Sequence, residues 1–182
     1  MVDSSKEKHF RVMVLPHLSS AFNLACWLTR NREDAEDVVQ EAYLRAFKFF
    51  DSFHGDNGRV WLLGIVRNTF YTWYAKNHDK TLGTLFDEDL HSMEAEDAAT
   101  LSRIKNNPEA LLMQRDTQRL VRGALEALPL EFREVMVMRE LEELTYKEIA
   151  AIVDIPIGTV MSRLGRGRKL LAKILMPMGP EA

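Results

Sequence analysis

The stretch LTYKEIAAIVDIPIGTVMSRL, residues 144–164, decides the fold that the sequence predicts. Its first half spaces apolar residues as a short helix does, and its second half continues as a helix that is polar and basic on one side. Two short helices joined by a three-residue turn form a helix-turn-helix, whose second helix can enter a DNA major groove. Nucleic acid is therefore the first partner indicated, although the formal net charge is -3.

The second helix of this stretch divides into two sides on a helical wheel. The apolar side carries Ile157, Val160, Leu164, Leu171 and Leu175; the opposite side carries Thr159, Ser162, Arg166, Lys169 and Lys173, with Arg163 on a flank. No acidic residue lies between Ile155 and Pro180. Arginines reach guanine edges or phosphates, and hydroxyls bond to either. The alternative is a basic helix that only faces solvent in a bundle.

Composition indicates a globular, nearly all-α protein. With 182 residues the chain supports one medium domain or two small ones, and helix breakers are scarce, with 9 Gly and 6 Pro. The single cysteine, Cys26, excludes an intramolecular disulfide and fits a reducing cytoplasm. The five histidines have no metal-ligand spacing, and the sequence has neither a phosphate-binding glycine loop nor a nucleophile motif. We expect neither an enzyme nor a cofactor and, because no apolar run approaches about 18 residues, no membrane insertion.

Periodicity divides the chain into two small helical domains joined by an acidic linker. Helical spacing covers about 10–29, interrupted or started afresh at Pro16, then 31–50, 59–77, 108–128 and 130–141, before the helix-turn-helix. Asn31 fits the N-cap of the second helix. Residues 79 to about 107 lose the periodicity and become acidic and polar. The predicted domains are 1–78 and 109–182, with 79–108 as the linker.

The third predicted helix and the loop before it suit a single-stranded nucleic acid. Arg67, Asn68, Tyr71 and Tyr74 fall opposite its apolar stripe. Exposed aromatic faces can stack unpaired bases, and cations can bind phosphates. The preceding glycine-rich loop, residues 51–58, could hold an extruded base. The alternative is that the two tyrosines pack against a neighbouring helix.

In this order, the segments resemble an extracytoplasmic-function sigma factor of bacterial RNA polymerase, in the sigma-70 family. NREDAEDVVQEAYLRA (31–46) resembles the part of that family that binds core polymerase, WLLGIVRN (61–68) its promoter-melting helix, and GTVMSRLGRGR (158–168) its recognition helix. The resemblance covers about residues 9–78 and 109–176. It implies a promoter-specificity subunit that binds core RNA polymerase and promoter DNA, and an anti-sigma factor that covers the polymerase-binding surfaces.

The resemblance also implies three sets of site residues. Core polymerase would bind Asp34, Asp37, Gln40, Glu41 and Arg45. The non-template strand of the −10 element would bind Ser52, Phe53, His54, Asn57, Arg59, Arg67, Asn68 and Tyr71. The −35 element would bind Thr159, Ser162, Arg163, Arg166 and Lys169. The linker would extend towards the active centre and RNA exit path of the polymerase.

The recognition helix departs from the family pattern at Met161 and Gly165, on the rim of its reading face. Gly165 and Gly167 each weaken the helix by about 1 kcal/mol relative to alanine, so we expect its end to fray without DNA.

Two other classes of protein fit parts of this pattern. One is a dimeric helix-turn-helix regulator that never binds core polymerase and uses residues 1–78 as a sensor or dimerisation unit. The other is a helical adaptor whose basic faces bind an acidic protein. The acidic second helix and the exposed aromatic third helix discriminate between these classes, because a plain regulator needs neither of them.

Overall fold

The computed structural model describes residues 4–78 and 108–176, and every regular element in these two ranges is helical. The all-α prediction is confirmed. The predicted linker and its route lie outside the described residues. We call the helices of residues 4–78 the N-terminal group and those of residues 108–176 the C-terminal group.

The N-terminal group contains four α-helices around an apolar centre. They are α1 (Ser4–Met13), α2 (Leu18–Thr29), α3 (Arg32–Phe49) and α4 (Gly58–His78), with 3-10 turns at Leu15–His17 and Phe50–Ser52. The predicted break at Pro16 is confirmed by the turn between α1 and α2. The predicted cap is also confirmed, because Asn31 accepts a hydrogen bond from the Asp34 backbone N–H at 3.1 Å. Leu24, Val38 and Leu62 are among its fully buried side chains.

The C-terminal group ends in the predicted helix-turn-helix. Its helices are α5 (Pro108–Glu126), α6 (Leu130–Met136, continued by the π-helical turn Val137–Leu141), α7 (Tyr146–Val153) and α8 (Ile157–Leu175). Helix α8 packs against α5, α6 and α7. Val160 and Leu164, from the predicted apolar side of α8, are fully buried.

The two groups pack directly against each other. Helix α2 contacts α6, and α4 contacts α7. The buried apolar side chains of both groups form one connected core, which extends from Phe10 to Leu164. The segment Ser4–Thr29 is long and apolar enough to cross a membrane by length and composition alone. This is a weak indication, because α2 buries Leu24 and Leu28 as the core helix of a globular protein does.

The end of α8 is helical through Leu175, so the structure does not show the predicted fraying. Gly167 lies in a close contact, where an added Cβ would meet the Met136 side chain at 3.0 Å and Phe132 at 3.5 Å. The missing side chain therefore lets α8 approach α6, and apolar contact offsets the low helix propensity of glycine.

We expect Gly58→Ala and Gly64→Ala to have opposite effects on stability. A Cβ at Gly58 would lie 2.0 Å from the Met13 carbonyl oxygen, so α1 or α4 would have to shift, at a cost of about 1–3 kcal/mol. Gly64 lies within α4 and a Cβ there meets nothing within 4 Å, so alanine should stabilise by about 0.5–1 kcal/mol. Urea unfolding of the full chain measures both, and equal effects would contradict the close contact at Gly58.

Candidate nucleic-acid and protein interfaces

The outward side of α8 is an exposed basic surface. Ser162, Arg166 and Lys169 are exposed, whereas Thr159 is half-buried and Val160 and Leu164 face the core. The exposed residues lie at helical spacing on the side away from the core. Three of the five predicted −35 residues therefore lie together on the exposed face of α8, and Thr159 lies at the edge of that face.

Residues at the helix ends determine where the two helices of the helix-turn-helix begin and where the first one ends. Thr145 and Glu148 form a capping box at the start of α7, in which the Thr145 backbone N–H donates to the Glu148 carboxylate at 2.8 Å. This bond lowers the pKa of Glu148. Asp154 ends α7 in the left-handed conformation at φ 58°, which a short polar residue tolerates. Helix α8 then begins directly after Pro156.

Arg163 differs from its neighbours on α8 because it points towards carboxylates of α6. Its guanidinium lies 3.7 Å from Glu134 and 3.9 Å from Glu131, and only 24% of the side chain is exposed. The wheel placed Arg163 on a flank, but only tertiary packing shows that it is an internal ion-pair partner in this conformation.

Arg67 and Tyr71 on α4 are half-buried in the contact with the C-terminal group. The Arg67 Nε and Nη2 donate to the two oxygens of Glu134 at 2.8 and 3.1 Å, and the Tyr71 hydroxyl donates to the same carboxylate at 3.2 Å. The Arg67 guanidinium also lies 4.5 Å from the Tyr71 ring centre. The expected exposed position of Tyr71 is therefore wrong for this conformation, and the alternative of packing against a neighbouring helix is correct for it.

Burial and Glu134 also determine the ionisation of this pair. Burial alone would lower the pKa of Arg67, but the hydrogen bond and the charge of Glu134 outweigh it and raise that pKa. Burial, followed by the charge of Glu134, raises the pKa of the Tyr71 phenol to about 12. Both side chains thus hold their protons firmly while they contact the carboxylate.

Arg59 and Asn57, at the start of α4, also contact acids of the C-terminal group. Arg59 Nη2 donates to the Glu142 carboxylate at 2.6 Å and to the Glu142 carbonyl at 2.8 Å. Asn57 donates to Glu148 at 3.1 Å and accepts from the Val60 N–H at 3.1 Å, which caps α4. Both side chains are therefore engaged by protein groups in this conformation.

The remaining predicted −10 residues divide between core and surface. Phe53 is half-buried, with its ring stacked on Phe50 at 5.7 Å and 5.0 Å from the Trp61 ring. Ser52, His54 and Asn68 are exposed. The structure therefore places Phe53 in an aromatic cluster and leaves the other three residues at the surface.

The predicted polymerase-binding residues form one face of α3. Asp37, Gln40 and Glu41 are exposed, and Arg45 pairs with Glu41 one turn earlier. Burial, followed by the neighbouring charges of Asp37 and Glu33, raises the pKa of the Asp34 carboxyl on this acidic face. An apolar groove of about 440 Å³ lies beside it between α2 and α3, lined mainly by Leu18, Phe22, Val39 and Tyr43. An acidic face next to an apolar groove is suited to bind a protein.

Sequence reasoning missed the buried charges of α6. The spacing Leu130, Val137, Met138 and Leu141 defines an apolar stripe, and Arg133 and Glu134 occupy positions on it. A buried charge needs a partner, so charged residues on an apolar stripe could have predicted internal hydrogen bonds or ion pairs at these two positions. Arg133 donates to the carbonyls of Glu126 and Leu128 at 2.9 and 3.1 Å and to that of Leu28 at 3.4 Å. Burial and then Arg30 lower its pKa to about 10.

Within residues 4–78 and 108–176, no group of three or more His, Cys, Asp or Glu side chains is placed to hold a metal ion.

Comparisons with known proteins agree with this arrangement. The family model described as Sigma-70 region 2 matches residues 13–80, and the one described as Sigma-70, region 4 matches residues 118–171. The chain is 34% identical over 181 residues to the ECF RNA polymerase sigma-E factor of Escherichia coli (strain K12), covering 97% of this chain and 92% of that protein. The Haemophilus influenzae sigma-E factor is 33% identical over 183 residues, covering 97% and 93%.

Two solved structures share the fold. The sigma factor RpoE from Bartonella quintana, crystallised with the anti-sigma factor NepR, has a TM-score of 0.73 and 27% identity, covering 92% of this chain and 97% of that one. CnrH, solved with the cytosolic domain of CnrY, has a TM-score of 0.61 at 22% identity, which supports the fold alone. The chain belongs to the extracytoplasmic-function sigma factors of the sigma-70 family, which are transcription initiation factors.

The environment of Tyr71 predicts a specific loss of stability at high pH. Its phenol titrates near 10 when unfolded and at about 12 when folded, so the stabilisation is complete below pH 10 and is lost as pH rises through 12. We expect the unfolding free energy of the wild type to fall relative to that of Tyr71→Phe across this window. Urea unfolding in steps from about pH 8 to 11.5 measures the difference.

Tyr43 provides the comparison for this prediction, because burial also raises its pKa to about 12, without a carboxylate among the causes. Tyr43→Phe should show the same sign of pH dependence. A difference between wild type and Tyr71→Phe that stays constant over the whole range would contradict the buried environment of Tyr71.

Proposed function

We propose that this chain is a promoter-specificity subunit that binds core RNA polymerase, melts the −10 element and recognises the −35 element. The catalytic chemistry then belongs to the polymerase. The observation that carries the proposal is the exposed, acid-free face of α8 within a helix-turn-helix whose other side is buried. The proposed division is 1–78 for polymerase and the −10 element, 79–108 as a linker, and 109–182 for the −35 element.

The −35 element would be bound in the major groove by α8. Ser162 and Arg166 lie on the exposed face where base edges can be reached, and Lys169, one turn further from the N-terminus, suits a backbone phosphate. Thr159 supports the N-terminal edge of the face. Arg163 joins this set once its contacts with Glu131 and Glu134 are released.

The −10 element would be bound by α4 and the loop before it. Ser52, His54 and Asn68 are polar and exposed, and Asn57, Arg59, Arg67 and Tyr71 supply amide, cation and aromatic groups. Arginines bind the phosphates of a single strand, and an aromatic ring stacks on an unpaired base. Phe53 would support the loop from its aromatic cluster with Phe50 and Trp61.

Core polymerase would dock on the acidic face of α3, through Asp34, Asp37, Gln40, Glu41 and Arg45. An anti-sigma factor is the second proposed protein partner, and support comes from the similar Bartonella quintana sigma factor, which was crystallised with one. Both partners imply that the protein acts in the cytoplasm. A dimeric regulator that avoids the polymerase is not favoured, because family models for two separate sigma regions match this chain.

Promoter-specific transcription with core polymerase tests the proposal directly. We expect the wild-type chain to co-elute with core RNA polymerase and to direct run-off synthesis from a library of bacterial promoter fragments. Asp37→Lys should weaken core binding, since it reverses a charge at the centre of the α3 face. Asp116→Lys is the matched control, because it makes the same charge change at an exposed position on α5.

Failure of the wild-type chain to bind core polymerase at any ionic strength would overturn the proposal. Binding to a palindromic duplex by the chain alone, without polymerase, would instead support the dimeric regulator. Equal losses for the two lysine variants would mean that net charge, and not the α3 face, determines core binding.

Arg166→Ala and Lys169→Ala should separate base recognition from phosphate contact on α8. Losing a base contact at Arg166 should reduce discrimination at one −35 base pair by about 1–3 kcal/mol, whereas losing a phosphate contact at Lys169 should weaken all sequences equally. Run-off from a promoter library randomised over the −35 element, followed by sequencing, measures both. Uniform weakening by Arg166→Ala would show that Arg166 contacts only phosphate.

A further inference from the structure

The outward side of α8 consists of two strips with different chemistry. One strip carries Arg166 and the other polar side chains that we propose for the −35 element. The second strip consists of Gly158, Met161 and Gly165, which we call the apolar strip. These three residues follow one another at spacings of three and four, so they lie along one line of the helix surface. All three are exposed.

Met161 stands between two gaps on the apolar strip. It is 55% exposed, so its thioether extends into solvent. Among the described residues, an added Cβ at Gly158 or at Gly165 would meet nothing within 4 Å beyond its own helical turn. Each glycine therefore lets another molecule approach the helix backbone closely. Methionine is flexible and polarisable, so it adapts to a small apolar group in such a gap.

The cation beside the apolar strip is held by an acid of the protein. The Arg168 Nη2 and Nε both donate to the Glu140 carboxylate, at 2.8 and 3.3 Å. Glu140 belongs to the π-helical turn after α6, so this pair draws the Arg168 guanidinium towards α6. Further along the same line of α8, Ala172 is exposed and adds only a methyl group. One edge of the outward side is therefore apolar, whereas the other is cationic.

Duplex DNA offers a matching pattern in its major groove. The apolar group that base pairs present there is the C5-methyl group of thymine, and the remaining edge atoms are hydrogen-bond donors and acceptors. Apolar side chains contact this methyl group, whereas arginines and hydroxyls bond to the polar edges. A helix with one cationic and one apolar edge is therefore suited to a site where a thymine lies beside bases that are read by polar contacts.

We infer that the apolar strip makes α8 selective for thymine, because Met161 contacts the C5-methyl group of one thymine in the −35 element and the gap at Gly165 admits that methyl group. The inference rests on the proposed role of α8 in the −35 element and specifies one base pair of it as A·T. The preference depends on the methyl group and not on hydrogen bonds. Uracil forms the same hydrogen bonds as thymine without this methyl group, so it should bind about fourfold more weakly, which corresponds to ~0.8 kcal/mol for one buried carbon group.

Replacing thymine by uracil within the −35 segment tests the inference. Two libraries of promoter fragments share a randomised −35 segment, which is synthesised with thymine in one library and with uracil in the other. The rest of each fragment keeps thymine, so the −10 element is unchanged. Holoenzyme assembled from core RNA polymerase and the full chain binds each library, and the bound fragments are sequenced. We expect thymine to be enriched at one −35 position, and uracil at that position to be enriched about fourfold less.

Met161→Gln should remove the difference between the two libraries at that position. The substitution keeps the length of the side chain and replaces the thioether by a polar amide, so the contact with the methyl group is lost. Preferences at the other −35 positions should remain. Met113→Gln is the matched control, because Met113 lies on α5 and is 73% exposed. The control should keep the full difference between thymine and uracil.

Gly165→Gln should also remove the difference, because its side chain fills the gap that admits the methyl group. Gly123→Gln is the matched control, since Gly123 is an exposed glycine of α5 at which an added Cβ also meets nothing within 4 Å. Both substitutions raise helix propensity. A gain in helix stability alone therefore cannot explain a loss that occurs only in Gly165→Gln. Circular dichroism verifies that all four variants keep their helices.

Three outcomes would contradict thymine selection by the apolar strip. Equal enrichment of thymine and uracil at every −35 position would overturn the inference and leave the proposed function intact. A difference that persists in Met161→Gln would assign the methyl contact to another side chain, such as the half-buried Thr159. A loss of the difference in both control variants would show that it does not depend on the α8 surface. The proposed function fails separately, and the inference with it, if the wild-type holoenzyme enriches no −35 sequence from the thymine library.

Discussion

A buried carboxylate at Glu134 governs how the two halves of this molecule meet. An ionised side chain that is 1% exposed is stable only when its oxygens are bonded, and Arg67, Tyr71 and Arg163 supply those partners from α4 and α8. Removing one partner of such a pair commonly costs about 3–5 kcal/mol, because the other charge remains buried. The need to keep the Glu134 carboxylate bonded therefore restricts the position of α6 relative to α4 more tightly than apolar packing, which is not directional, could alone.

The same requirement determines which faces are available to other molecules. Because α4 turns Arg67 and Tyr71 inward, those two side chains are withdrawn from the surface, whereas the basic face of α8 and the acidic face of α3 are exposed. Arg133 reinforces the arrangement by donating to carbonyls at the ends of α2 and α5, where helix termini leave acceptors unsatisfied. Charge that is used internally is unavailable for binding. Arg59, Arg67 and Tyr71, which we propose for the −10 element, are among the side chains used internally in this conformation.

Most of the fold could be predicted because its determinants are local. Apolar spacing, the Asn31 cap and the break at Pro16 each act within one or two turns, and the structure confirms all three. The glycines of α8 show the limit of this approach. Helix propensity alone predicts fraying near Gly167, but it could not show that Met136, about thirty residues earlier in the chain, packs closely against that glycine.

The candidate site was predictable in part, for a similar reason. Ser162, Arg166 and Lys169 are exposed as expected, since the buried side of α8 is fixed by its own apolar stripe. Whether Arg163, Arg67 or Arg59 is free depends on acids at Glu134 and Glu142, which are distant in sequence. A helical wheel describes a single helix, so it cannot show an ion-pair partner that another helix supplies.

The sequence by itself therefore determined the helices, the helix-turn-helix and the membership of this chain in its family, because propensity, capping and binary pattern are properties of neighbouring residues. Only the tertiary structure decided that the two helical groups pack against each other, with Arg67 and Tyr71 of α4 half-buried and Ser162, Arg166 and Lys169 of α8 exposed. Those properties come from desolvation and charge pairing across space, which depend on the partner that reaches each buried group.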